Sequence, residues 1–366
     1  MEDFPVLYIV TSLGFVLGML FGGTAQKTHF CTMGAISDIY FIGDWNRFRA
    51  WMLAMAVAMV GSQSLHLAGV LDLNDAIYLS STLGWAGAIF GGLMFGFGMT
   101  LGGGCGNKTL VRLGAGNLKS LVVAIVIGVF AYMTLRGLVG LARVELEAAT
   151  SIDLTVRNMT AQGVPDFLTL IGLEAEMARW ISVLVVAGGT LWFCLKSASF
   201  RASKPDLFSG LIIGVLVTAA WYVTGVIGFD DFDPTPMASF SFVAPVGESI
   251  QYLMTYTGAT INFGIAVVGG IIAGSFVVAK VSGDFHLESF ADADDMVRHI
   301  SGGALMGIGG VMALGCTVGQ GVTGMSTLAV GSVLALISII GGGIFGMKYL
   351  EEGTLGEAVK ALFVRG

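Results

Sequence analysis

Gly102-Gly103-Gly104-Cys105-Gly106-Asn107-Lys108 follows an apolar run, 83–101, that is nearly long enough to cross a bilayer. Backbone this poor in side chains is tolerated at membrane depth only where it is buried in protein or lines a cavity. The run therefore reads as a break in a membrane helix, with a cysteine at the break. Two more stretches have this character, Thr28-His29-Phe30-Cys31-Thr32-Met33-Gly34 and Leu314-Gly315-Cys316-Thr317-Val318-Gly319-Gln320-Gly321. A cysteine at such a point is a candidate contact for whatever travels there.

The rest of the chain agrees with a membrane setting. Of 366 residues 55% are hydrophobic and 12% charged, about half the charged share of soluble proteins, and mean hydropathy is +0.84. Fifty-five glycines without a collagen period, beside only six prolines, suit close helix contact and broken helices. The expected class is an all-α integral membrane protein with the lipid bilayer as its solvent. The net charge of −7 offers nothing to nucleic acid.

Apolar segments fall at 4–22, 50–70, 83–101, 120–141, 180–196, 206–228, 258–280, 300–314 and 326–346, so about nine transmembrane helices are expected, with short broken or re-entrant helices at the breaks. The eighth is short and reads as half of a broken helix. With the N-terminus outside and the C-terminus inside, thirteen Lys and Arg fall inside and four outside, Lys27 being undecided; the positive-inside rule supports that orientation. Met1-Glu2-Asp3 gives no basic leader, so the first helix is expected to be retained rather than cleaved. The polar segment 142–179, the stretch Asp230-Asp231-Phe232-Asp233-Pro234 and the acidic segment 283–298 read as solvated loops.

An internal repeat organises the single membrane domain, 1–366. Cys105 laid on Cys316 aligns Gly91, Gly92, Gly96, Gly98 and Gly104 with Gly302, Gly303, Gly307, Gly309 and Gly315. A weaker echo sets Gly14 and Gly18 over Gly210 and Gly214, where Cys31 falls on Ile227 and has no counterpart. The helix before Cys105 runs inward and the helix before Cys316 outward. Two inverted repeats are thus expected, 1–141 and 180–366, separated by an extracytoplasmic insertion, 142–179; such folds hold substrate near the midplane, at the repeat interface.

The cysteines lack the spacing of a zinc site and of a C-x-x-C redox pair, so neither metal nor cofactor is expected. Cys31, Cys105 and Cys316 suit a role as neutral S–H donors to an anion, because a thiol in apolar surroundings keeps its proton. The competing readings are plain packing and covalent sulfur chemistry, with His29 near Cys31. Cys194 lies in an ordinary apolar helix and reads as packing. Gly104, Gly106 and Gly315 can present backbone N–H groups, Asn107, Thr317, Gln320 and Thr323 can add donors, and Lys27, His29 and Lys108 can attract an anion. The same glycines also serve tight packing, and a Lys at a helix end also serves as a snorkelling residue. No acidic residue sits mid-helix as a proton relay would need.

Gln26-Lys27-Thr28-His29-Phe30-Cys31, Gly104-Cys105-Gly106-Asn107 and Gly315-Cys316-Thr317-Val318-Gly319-Gln320-Gly321 resemble the YeeE/YedE family of bacterial inner-membrane sulfur-compound transporters. The resemblance covers nearly the whole chain. It implies an hourglass-shaped helical protein, not an enzyme, that takes up thiosulfate past three cysteines, here Cys31, Cys105 and Cys316, by S–H hydrogen bonds. It also implies that a small cytosolic sulfur carrier of the TusA type is a partner of some members. Lys27 and His29 stand where arginines are common in the family. Another small sulfur or selenium anion, or a membrane thiol enzyme passing sulfur to a carrier, are the alternatives.

Overall fold

The computed structural model describes residues 6–157, 159–230 and 235–363, so Met1-Glu2-Asp3, most of the Asp230–Pro234 stretch and the last three residues lie outside it. In chain order the helices are α1 (Val6–Thr28), α2 (Thr32–Ile42), α3 (Asn46–Leu67), α4 (Gly92–Leu101), α5 (Gly106–Gly114), α6 (Leu118–Arg136), α7 (Leu138–Thr150) and α8 (Val164–Thr169). They continue as α9 (Ala175–Lys196), α10 (Ala198–Ala202), α11 (Lys204–Tyr222), α12 (Val243–Met254), α13 (Phe263–Ser282), α14 (Ala293–Met312), α15 (Val330–Glu352) and α16 (Leu355–Phe363). A two-residue ladder pairs Thr82–Leu83 with Ile152–Asp153.

Eight helical stretches among the described residues are long and apolar enough to cross a bilayer, and the protein is a multi-pass membrane protein. Each coincides with one of the nine expected segments. The remaining segment, 300–314, is the apolar part of α14, which is a continuous 20-residue helix rather than a half-helix. Its first turns carry Asp294, Asp295, Arg298 and His299, which hydropathy alone reads as loop.

Glycine sets the packing. A Cβ on Gly18 of α1 would stand 2.5 Å from the Val267 carbonyl oxygen of α13, and one on Gly22 would collide with Ile271, so the two helices run parallel in near-backbone contact. Gly210 and Gly214 of α11 do the same against Ala50 and Ala54 of α3. Gly96 of α4 lies on Ile339 and Gly343 of α15, again parallel, while Gly303 and Gly307 of α14 lie on Val123 and Ile127 of α6. α4 and α14 cross antiparallel, Gly91 against Gly309 and Gly98 against Gly302. The ends of α1, α4, α13 and α15 thus meet the starts of α3, α6, α11 and α14 at one end of the bundle. That end carries Arg47, Lys119, Lys204 and Arg298 and is called the basic end below.

The solvated-loop reading of 142–179 needs correction. Leu154, Met159, Ala161 and Gln162 are buried, because this segment closes over the end opposite the basic one. Val330 N–H donates to the Gln162 carbonyl (3.0 Å), Val164 N–H donates to the Leu328 carbonyl (2.9 Å), and the Gln162 side chain reaches Thr82 and Gly331. Segment 283–298 is also structured: His286 and Glu288 pair along Ala115–Asn117, and the Glu288 carbonyl accepts from Leu118 N–H at 2.8 Å.

Candidate functional site

Cys31, Cys105 and Cys316 occupy the same local structure. A helix ends, a residue adopts the left-handed conformation, and two residues later a cysteine precedes a new helix. The left-handed residues are His29 (φ 54°), Gly103 (φ 67°) and Leu314 (φ 55°). Two of them carry side chains at a cost on the order of 1–3 kcal/mol, which persists only where surrounding structure enforces it. The α4 and α14 ends match bond for bond: Gly104 N–H donates to the Met99 carbonyl and Gly315 N–H to the Gly310 carbonyl, and Gly103 bonds to Thr100 as Leu314 bonds to Val311. These six-to-one closures satisfy carbonyls that each helix end leaves free.

After each cysteine the chain turns helical again. The carbonyls of Cys31, Cys105 and Cys316 accept the first intrahelical bonds, from Ala35, Thr109 and Gln320. α2 and α5 follow the first two, and residues 317–326, with a wide turn at Gly319–Gly324, follow the third. Two thiols cap their helices: Gly34 N–H donates to Cys31 Sγ (3.5 Å) and Gly319 N–H to Cys316 Sγ (3.4 Å). Two helix N-termini, each equivalent to roughly half a positive charge, are therefore directed at the sulfurs of Cys31 and Cys316, while α5 starts after Cys105 without a cap bond to its thiol.

The breaks converge. Cys31 Sγ lies 3.9 Å from Cys105 Sγ, and Cys105 Sγ donates to Asn107 Oδ1 at 3.6 Å. The second break meets the third where Gly106 approaches Cys316. A Cβ on Gly106 would stand 4.0 Å from that of Cys316 and 3.8 Å from that of Phe242, so the close approach uses the absence of a side chain. Cys105 and Cys316 are fully buried and Cys31 is 8% exposed. Cys194 stands apart in a small cluster with Ala50, Leu53 and Phe200 and donates to the Arg49 carbonyl at 3.3 Å.

Cavities flank this chain of sulfurs. At the basic end a cavity of about 570 Å³ is lined by Gln26, His29, Gly103, Lys108, Arg112 and His299. At the opposite end one of about 320 Å³ reaches Leu314 and Gly315 past Ser239 and Ser241. Arg112 donates to the Gly103 carbonyl at 2.8 Å, which braces the turn before Cys105. At the mouth Lys119 holds both Asp295 (3.0 Å) and Glu288 (3.4 Å), and its hydrogen bond keeps the Asp295 carboxyl well below the usual carboxylate range.

Polar groups without partners cluster at the breaks. Thr32 Oγ1, Asn107 Nδ2, Thr317 Oγ1 and Gln320 Oε1 are buried and unpartnered, and the first three lie within two residues of a cysteine. Native interiors rarely leave such atoms unpaired, so each calls for an explanation. Asn107 Nδ2 can only donate, as can the equally orphaned Trp51 Nε1, whose ring lies against Gly321. Gln320 anchors its own amide on the Ala313 carbonyl, and Thr323 donates to the Phe240 carbonyl.

Of the residues singled out in the sequence, Gly104, Gly106, Asn107, Lys108, Gly315, Thr317 and Gln320 gather around the thiols, and His29 lines the basic-end cavity. Lys27 does not join them: it is exposed, and its neighbour Gln26 takes the cavity-facing place on α1. Thr32, Arg47, Trp51 and Arg112 were missed. Arg47 and Arg112 read in sequence only as orientation markers, yet Arg47 lies against Gly34, one turn beyond Cys31.

A multi-pass helical protein with buried thiols between opposed cavities has the build of a membrane transporter. The chain belongs to the sulphur transport family, whose model matches residues 27–345. It is similar to the thiosulfate transporter TsuA of Escherichia coli, 27% identical over 329 residues that cover 84% of this chain and 86% of that protein. It is likewise similar to the thiosulfate transporter TsuA of Spirochaeta thermophila, 28% identical over 317 residues, 85% and 90% of the two chains. A probable transporter, YedE of Escherichia coli, is 31% identical over 102 residues, 27% of this chain and 23% of that protein. The family expected from the three cysteine motifs is the family found.

Proposed function

We propose that this protein carries thiosulfate inward across the bacterial inner membrane, from the cavity beside Gly315 past Cys316, Cys105 and Cys31 to the basic-end cavity. The observation that carries this reading is the convergence of the three breaks between two cavities, Cys31 3.9 Å from Cys105 and Gly106 close against Cys316, with a new helical segment starting after each cysteine. Names of two long-matching relatives support thiosulfate as the substrate. Desolvating one ion costs on the order of 20 kcal/mol in the idealised Born limit, so three S–H donors cannot suffice. The compensation comes from helix N-termini and from the donors of Asn107, Thr317 and Thr32. Gly104, Gly106 and Gly315 let the anion approach backbone N–H groups, and Gln320 shapes the third break. His29 and Lys108 draw the anion onward, while Lys27 acts only as a distant charge.

In this reading the chain consists of two inverted repeats, 1–141 and 180–366, with 142–179 as an extracytoplasmic cover. The support is the pairing of helices: exchanging α1 with α11 and α3 with α13 turns one tight parallel pair into the other, and exchanging α4 with α14 and α6 with α15 does the same. The basic end faces the cytoplasm, in keeping with its Lys and Arg. A TusA-like carrier would receive the product there.

The test is uptake of labelled thiosulfate by proteoliposomes holding the purified protein, followed by mass spectrometry of the cysteines. Accumulation with unmodified thiols is the expected result. Persulfide on Cys31 or Cys105 without accumulation would replace transport by covalent sulfur transfer.

A further inference from the structure

α2 lies between α1 and α3 in the chain, and α12 between α11 and α13, so the two short helices hold matching places in the paired packing described above. The residue before α2 is Cys31. The residue before α12 is Phe242. Cys31 meets the Cys105 sulfur, and Phe242 stands together with Cys316 against Gly106, the residue after Cys105. Where one half places a cysteine beside the second break, the other places a phenylalanine.

That ring is fully buried, its centroid 5.4 Å from that of Phe21 and 6.3 Å from that of Phe240, with Phe21 and Phe240 stacked at 5.0 Å. Its Cβ is the one that a side chain at Gly106 would meet. The Phe242 side chain therefore starts where Gly106 approaches Cys316 and continues into an apolar cluster of three rings beside the step from Cys316 to Cys105. A ring edge offers no hydrogen bond to oxygen or sulfur. An anion crossing here must be compact, with its charge turned away from the rings.

We propose that Phe242 is a specificity-determining residue of the transport step, setting the upper size of the anion that passes between Cys316 and Cys105. This rests on the transport reading above. The experiment measures uptake of labelled thiosulfate and of the longer dianion tetrathionate by proteoliposomes with the wild-type protein, Phe242→Leu and Phe242→Ala. The readout is the tetrathionate-to-thiosulfate ratio, which the amount of folded protein does not change. The ratio should rise about tenfold or more in Phe242→Leu, the scale on which pockets discriminate small changes in apolar volume, and further in Phe242→Ala. Leu keeps the site apolar, so that variant decides the matter if Ala fails to insert. An unchanged ratio in every inserted variant, with wild-type thiosulfate uptake intact, overturns the role of Phe242 alone. Absence of wild-type thiosulfate uptake overturns both this inference and the reading beneath it.

Discussion

Replacing Asn107 by Leu should move stability and transport in opposite directions. Asn107 is fully buried, its Oδ1 accepts only the long Cys105 S–H contact of 3.6 Å, and its Nδ2 has no partner. An orphaned buried donor costs about 1–3 kcal/mol, and an ordinary hydrogen bond contributes about 0.5–1.5 kcal/mol, with the weak thiol bond at the low end. Leu has the same branching and number of side-chain heavy atoms and no polar atom to leave unpaired, so the empty protein should unfold at an equal or higher temperature. The loaded protein loses a hydrogen bond to a charged group, about 1.5–3 kcal/mol, and uptake at low thiosulfate should fall roughly ten- to hundredfold at 1.4 kcal/mol per decade. Melting in detergent and initial uptake rates, measured on the same preparation, give both quantities. A lower melting temperature with unchanged uptake would mean that Nδ2 has a structural partner and no substrate role, refuting the reasoning.

A tag inserted beside Asp153 should react with an impermeant reagent from outside the cell, and a reporter fused after Gly366 should be cytoplasmic; the reverse pair of results would invert the assigned direction of transport. Asp295→Asn should speed amide hydrogen exchange in 283–291, because it removes the carboxylate that Lys119 holds. A depressed carboxyl stabilises above its unfolded value of about 3.9 and loses that effect as pH falls through its folded value. The wild-type loop should therefore stay protected from pH 8 to 5 and loosen only in stronger acid; loosening near pH 6 would point to another group. Gly96→Val and Gly307→Val should each lower the melting temperature, by an overpacking cost of about 1–3 kcal/mol or more, since their side chains meet backbone of α15 and α6; tolerance at both would show that these contacts do not hold the helices together.

The breaks at Cys105 and Cys316 are legible because glycine is conspicuous and recurs around both cysteines at a 211-residue offset, and the structure gives both helix ends the same hydrogen bonds. In the proposed repeat the counterpart of Cys31 is not legible. Aligning Gly14 with Gly210 sends Cys31 to Ile227, but an extended stretch before α12 shifts the matching place to Phe242, where neither glycine nor cysteine marks it. The cover over 152–164 was misread for a related reason: polar residues such as Gln162 bury themselves by pairing with backbone, which composition cannot distinguish from solvation. Lys27 reads with His29 and Lys108 as a group that can attract an anion, but it still belongs to α1 while His29 adopts the left-handed turn that faces the cavity. Trp51 and Thr32 carry no sequence signal, since an indole or hydroxyl in a membrane helix usually finds a partner, and these two lack one only because of how the breaks pack.

The most direct test of the account is labelled thiosulfate uptake by four single variants, Cys31→Ala, Cys105→Ala, Cys316→Ala and Cys194→Ala, at matched amounts of folded protein. The three cysteines at helix starts supply donors along the proposed route, whereas Cys194 only bonds the Arg49 carbonyl. Uptake should collapse in Cys105→Ala and Cys316→Ala, fall in Cys31→Ala and stay at the wild-type rate in Cys194→Ala. Equal uptake in all four, at any level, would contradict a relay along these three sulfurs.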